Sequence, residues 1–166
     1  MKKTLTLILA ALTFSAFSQT LKLGHINTEE IIRAMPELTA AQTDLENHAR
    51  ELDETLRTMG TELENRYAAF QANQANMSEL IQQTRFRELQ DLQARIEDFQ
   101  QNARRSMEQR QQALFTPIFD RVRVAIEEVA KENNYAYVFE TSGGTLLYAR
   151  ESDDISELVR RKLNIR

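Results

Sequence analysis

From Glu37 to Asn133 the chain contains one glycine, Gly60, and one proline, Pro117, while apolar residues return every three or four positions. So long a stretch at that period, almost free of helix breakers, reads as helix. Short segments that alternate like β-strands flank it on both sides. A helical excursion that leaves and rejoins a small β-containing body suits a protein that grips other proteins better than one that encloses a catalytic pocket. The expected fold class is α+β and predominantly α: a long antiparallel helical-hairpin (coiled-coil) arm on a small β-containing oligomerisation body.

The first long helix is expected over about 37–72. Leu45, Ala49, Leu52, Leu56, Met59 and Leu63 alternate in steps of four and three, as a and d positions of a heptad do. Arg66 takes the next slot with Tyr67 beside it, and Phe70 resumes the pattern. Gly60 lies off this seam and weakens the helix by about 1 kcal/mol relative to alanine. Residues 71–78 lose the period and collect asparagines, which places a hairpin tip near 71–79; Asn76 with Glu79 fits a capping box. The second helix carries Leu89, Leu92, Ile96, Phe99 and Ala103, after which the spacing lengthens towards a hendecad. Two seams of similar length joined by a short connection pair most simply as antiparallel neighbours. At the helical rise the arm, 37–112, should extend about 50–55 Å.

The body consists of two pieces, 19–36 and 113–166. Lys22 to Asn27 alternates like a strand, with Leu21, Leu23 and His25 on one side and Lys22, Gly24 and Ile26 on the other. Asn27 or Thr28 can cap a short helix bearing Ile31, Ile32 and Met35, and Pro36 suits the first turn of the next. Pro117 removes a helical hydrogen bond and should kink the second helix where arm meets body. Asn133 and Asn134 should stop that helix. Tyr135 to Glu140 reads as a strand with Tyr135, Tyr137 and Phe139 on one face. Ser142-Gly143-Gly144 reads as a turn, and Thr145 to Arg150 as its hairpin partner. Asp154 and Glu157 suggest a second capping box ahead of Ile155, Leu158, Val159 and Leu163.

The first 18 residues read as a cleaved leader: Lys2 and Lys3, an apolar run from Leu5 to Phe14, and small residues before a cut after Ser18. That run is too short to span a bilayer, and the remainder is expected to be exported as a soluble chain. With no cysteine, a disulfide framework and a thiolate metal site are both excluded. Without Lys2 and Lys3 the chain carries 19 basic and 25 acidic residues, a net −6, which argues against nucleic acid as partner. No cofactor, metal or catalytic group is expected. His25 and His48 are far apart and read as packed and solvated residues. The pairs Glu29/Glu30 and Asp153/Asp154 read as helix-start charges rather than acid–base dyads.

Three strands in some 70 residues make a thin core with two free edges. Pooling strands from several copies would remove both problems. The residues expected at such an interface are Leu23, Ile26, Tyr137, Phe139 and Leu146.

Three stretches carry a family resemblance: GHINTEEIIRAMPE at 24–37, the ALFTPI junction at 113–118, and Val129 to Lys162 with its NNYAYVFE, GGTLLYA and DDISELVRRKL pieces. In this order around a helical arm, behind a leader, they resemble the Skp/OmpH family of periplasmic chaperones. The resemblance implies a homotrimer whose three arms enclose a cavity. There the family holds unfolded outer-membrane proteins without ATP and without an active site. The family's lipopolysaccharide-binding site is not identifiable in these residues and is not carried over.

One departure concerns charge. Better-known members are strongly basic, whereas this arm has nine arginines, no lysine and 14 acidic residues, a net −5. Client capture is therefore expected to depend more on apolar contact than on charge, unless segregated arginines on the second helix (Arg85, Arg87, Arg95, Arg104, Arg105, Arg110) provide the grip. Met59, Tyr67, Phe70, Met77 and Phe86, near or off the distal seam, are the client-contact candidates, since methionine and aromatic rings adapt to varied apolar partners. An exported structural or adaptor coiled coil is the rival reading, though 70 body residues are few for the flanking domains it needs. An exported hydrolase would require a nucleophile with a histidine partner near the glycine turn, which this sequence does not supply.

Overall fold

The computed structural model describes residues 21–165; the expected leader over 1–18 lies outside the described residues. Strand β1 (Leu23–Ile26) leads into the short helix α1 (Thr28–Arg33). Asn27 caps α1 reciprocally: its side-chain oxygen accepts from the Glu30 amide at 3.2 Å, and its amide nitrogen donates to the Glu30 carboxylate at 3.0 Å. Such a cap stabilises a helix start by about 1 kcal/mol. Helix α2 (Pro36–Asn73) begins on its proline, whose missing N–H would be unbonded there in any case.

A 3₁₀ turn over Gln74–Asn76 reverses the chain, and α3 (Glu79–Glu132) runs back beside α2. Its cap residue is Ser78, not Asn76 as the capping-box spacing suggested. Gln82 holds the turn instead, donating to the carbonyls of Gln74 and Met77 at 3.0 and 3.1 Å. Helix α3 continues unbroken through Pro117. Both Pro117 and Ala113, whose carbonyl loses its partner, are exposed, so water can satisfy that carbonyl. Asn133 ends the helix and Asn134 takes the left-handed conformation (φ 58°).

Strand β2 (Tyr137–Glu140) follows, and pairs with β1 in parallel: Leu23 with Tyr137, Gly24 with Val138, His25 with Phe139 and Ile26 with Glu140. The hairpin expected between 135–140 and 145–150 does not form within the chain. Past the turn, residues 145–150 run extended with no ladder, and Leu147 is 95% exposed. The chain then reaches the other edge of β1, where the Ile155 amide donates to the His25 carbonyl at 3.0 Å. Helix α4 (Ser156–Leu163) closes the body; Asp154 accepts from the Ser156 amide at 2.7 Å at its start. Tyr135 does not share the outer face of Tyr137 and Phe139. It precedes the strand and packs on the core, with the Lys22 ammonium 4.0 Å from its ring centre.

One core fills the body. Ile118, Val122, Ala125 and Val129 form a helical stripe on α3, packed against Ile26, Ile31, Met35, Ile155, Val159 and Leu163. Ile26, expected at an oligomer interface, is only 2% exposed and belongs to this core: at its strand position its side chain points inward with Gly24. The body thus buries more of its apolar surface within one chain than its length suggested.

Candidate functional site

The arm differs along its length. Near the body polar bonds tie its helices together. Arg121 of α3 pairs with Glu37 of α2. Arg110 donates from two nitrogens to both carboxylate oxygens of Asp44, each at 2.7 Å. This fork holds the Asp44 carboxyl below its usual range, chiefly through the side-chain hydrogen bonds. His48 Nε2 and Ser106 Oγ lie 2.8 Å apart. Beyond these, among the described residues, no ion pair links the two helices of the arm. The seam alone joins them there: Leu89, Leu92 and Ala103 of α3 are buried, while Leu52, Leu56, Met59 and Leu63 of α2 remain half-buried. Two helices leave each seam open along its flanks.

At the far end the helices part into a cleft of about 460 Å³. Phe70, Met77 and Leu89 supply its apolar lining, and Arg66 and Arg85 stand on opposite helices at its sides. The structure thus brings together two of the five client-contact candidates, Phe70 and Met77. Tyr67 and Phe86 lie outside the lining and are about half exposed. Met59 sits apart, on α2 beside Glu51 and Thr55. Sequence reasoning missed Leu80, 74% exposed, and its exposed neighbour Ile81 in the first turn of α3. Two adjacent apolar residues right after a helix start and off the seam were the available signal.

The body presents a second apolar surface. Parallel register puts Leu23, Tyr137 and Phe139 on the outer sheet face, where all three are exposed and the two rings lie 6.4 Å apart. Exposed Leu147 and Tyr148 follow in the extended segment, whereas Leu146 is half-buried. Glu140 fastens the end of this sheet: its carboxylate accepts from the amides of Thr28 (3.2 Å), Thr141 (2.9 Å) and Ser142 (2.9 Å). Burial alone would raise its pKa, but the bonds from Thr28 and Ser142 together outweigh that and leave it lowered. His25 is tied to the Arg150 carbonyl through Nε2 at 2.9 Å, a structural contact. Among the described residues no cluster of three potential metal ligands occurs, and no helix is long and apolar enough to cross a membrane.

A family model described as outer membrane protein (OmpH-like) matches residues 22–163. The fold is shared with a crystal structure of an OmpH-like protein from Caulobacter crescentus CB15, described as an outer membrane chaperone. The TM-score is 0.75 over 87% of this chain and 84% of that one, at 14% sequence identity. No curated protein sequence matches. Because the family model spans both strands, the whole arm and the closing helix, the chain belongs to the OmpH-like outer membrane protein family.

Proposed function

We propose that the protein is an ATP-independent holdase of the periplasm, binding unfolded outer-membrane proteins between its arms and keeping them from aggregating. The observation that carries this reading is the distal arm, which holds an open cleft with Phe70, Met77 and Leu89 in its lining and also exposes Tyr67, Leu80, Ile81 and Phe86. Many weak apolar contacts on a long arm hold a non-native chain without selecting one sequence, and binding the unfolded state is what a holdase requires. The chaperone description of the Caulobacter protein points the same way. The arms are brought together in a homotrimer, with the outer sheet face of Leu23, Tyr137 and Phe139 packed against other copies. Large exposed apolar surfaces of this kind mark interaction sites.

The test is aggregation. An outer-membrane β-barrel protein diluted from denaturant should stay clear in the presence of stoichiometric protein and no ATP. Replacing Met59, Phe70, Met77 and Phe86 together by serine should weaken this protection while the oligomer persists. Light scattering unchanged by wild-type protein would reject the holdase.

A further inference from the structure

Arg110 and Arg121 both tie the arm's helices near the root, but they use their donors differently. Arg110 commits its fork to one carboxylate, reaching each oxygen of Asp44 at 2.7 Å. Arg121 divides its fork. Its Nη1 donates to Oε1 of Glu37, in the first turn of α2, while its Nη2 donates to the Leu163 carbonyl at the end of α4, at 3.2 Å. The division leaves Oε2 of Glu37 buried and without a hydrogen-bond partner among the described residues, although the side chain as a whole is 42% exposed. An acceptor left in that condition is destabilising. The Leu163 carbonyl has a need of its own, since it belongs to the helix-end carbonyls that no intrahelical amide reaches. Two acceptors therefore compete for one donor. Oε2 is the stronger of them because it carries charge. Leu163 keeps the bond while α4 is seated on α3. Lys162 helps to seat it from the adjacent position, pairing with Glu128 at 3.0 Å and Glu132 at 2.6 Å. The competition falls where the backbone of the arm is weakest. Helix α2 begins at Pro36 after an extended Met35, and Pro117, one turn before Arg121, takes a hydrogen bond out of α3.

We propose that Arg121 is a two-position switch that couples the arm root and the closing helix in opposite senses. With α4 seated, Nη2 stays on Leu163 and α2 is held through one carboxylate oxygen. When the last turn of α4 lifts, Nη2 turns to Oε2 of Glu37, and the root gains the two-bonded grip that Arg110 already has on Asp44. Two discrete arrangements of one side chain, each biased by a different element, are what allows those elements to be coupled. Whatever lifts the end of α4 stiffens the arm where it joins the body. Whatever draws Glu37 away seats α4 more firmly. The coupling concerns the stiffness of the arm and does not depend on what the arm holds.

The test is amide exchange in the protein's native assembly, read in segments 40–45 of α2 and 159–163 of α4. Both are referred to the core amides at 122–125, which separates local effects from a general loss of stability. Simple packing predicts that loosening either segment loosens the other. The switch predicts the reverse. Lys162→Gln should speed exchange at 159–163 and slow it at 40–45 by about threefold, the scale of one charged contact at a partly exposed site. Glu37→Gln, which removes the charged competitor, should speed exchange at 40–45 and slow it at 159–163. The double variant should show no slowing at 40–45, because the amide side chain offers a single acceptor oxygen. Should Lys162→Gln leave 159–163 as in the wild type, Glu37→Gln alone decides. Exchange that rises in both segments together, or a segment 159–163 unmoved by Glu37→Gln, overturns the switch.

Discussion

Gly24 and Ile155 allow a quantitative test of how the closing helix is locked onto the sheet. A Cβ placed on Gly24 would lie 3.1 Å from Ile155 Cγ2 and 3.1 Å from two ring carbons of Tyr135. Gly24→Ala therefore forces its neighbours to give by a few tenths of an ångström, at about 1 kcal/mol net of the entropy it removes from the unfolded chain. Ile155 is fully buried, so Ile155→Ala removes its packing and leaves a void, about 3 kcal/mol. The double variant should be milder than these two costs combined, because the new methyl enters the space that Ile155 vacated. Tyr135 still crowds it, so the rescue is partial, with a coupling of about 1 kcal/mol. Thermal melts by circular dichroism at fixed protomer concentration should show Ile155→Ala lowering Tm by about 6–12 °C, with the double variant no lower. Strict additivity of the two changes would refute the contact between Gly24 of β1 and Ile155, the residue that leads into α4.

Glu140→Gln should cost about 1 kcal/mol at neutral pH, given three amide bonds to a partly screened carboxylate. The folded carboxyl is lowered, so its contribution is present above the unfolded pKa and lost as pH falls through the folded one. Urea midpoints of wild type and variant should converge as pH drops from about 5 towards about 3, and a constant gap would count against the clamp. Amide exchange should be slower at the buried Val122 than beside the open Gly60, where only the seam joins the helices. Uniform protection would mean arm and body open as one unit. In the proposed homotrimer, Tyr137→Glu with Phe139→Glu should shift sedimentation from trimer to monomer while helicity is kept; a variant that sediments as the wild type does would count against this interface.

The arm was legible because its signal is local. A heptad period over Leu45–Leu63 and Leu89–Ala103 needs nothing from the rest of the chain to be recognised, and neither do the asparagines that end α3. Both strands of the sheet were legible, but their pairing was not, for the opposite reason. Tyr135–Glu140, a glycine turn and Thr145–Arg150 satisfy every local rule for a hairpin, yet β2 pairs with a strand at the other end of the chain. Parallel pairing leaves no local trace in the intervening sequence. The same limit applies to the site. Phe70 and Met77 could be singled out as residue types, but their meeting with Leu89 between Arg66 and Arg85 depends on the register of two helices, which neither seam states alone.

The parallel pairing of β1 and β2 also sets the order in which the protein can fold. Thr28 and Glu140, bonded in the finished body, are 112 positions apart. Closing such a loop in a random chain is entropically costly and slow. The hairpin removes that cost, because zipping α2 against α3 from the tip downward carries the two strands to each other. Arm formation should therefore precede the body, with the turn at Gln74–Asn76 as the point of initiation. A helix breaker placed there should slow refolding far more than one placed in the extended segment at 145–150. Equal removals of whole heptads from both helices should shorten the protein while sparing the speed and stability of its base.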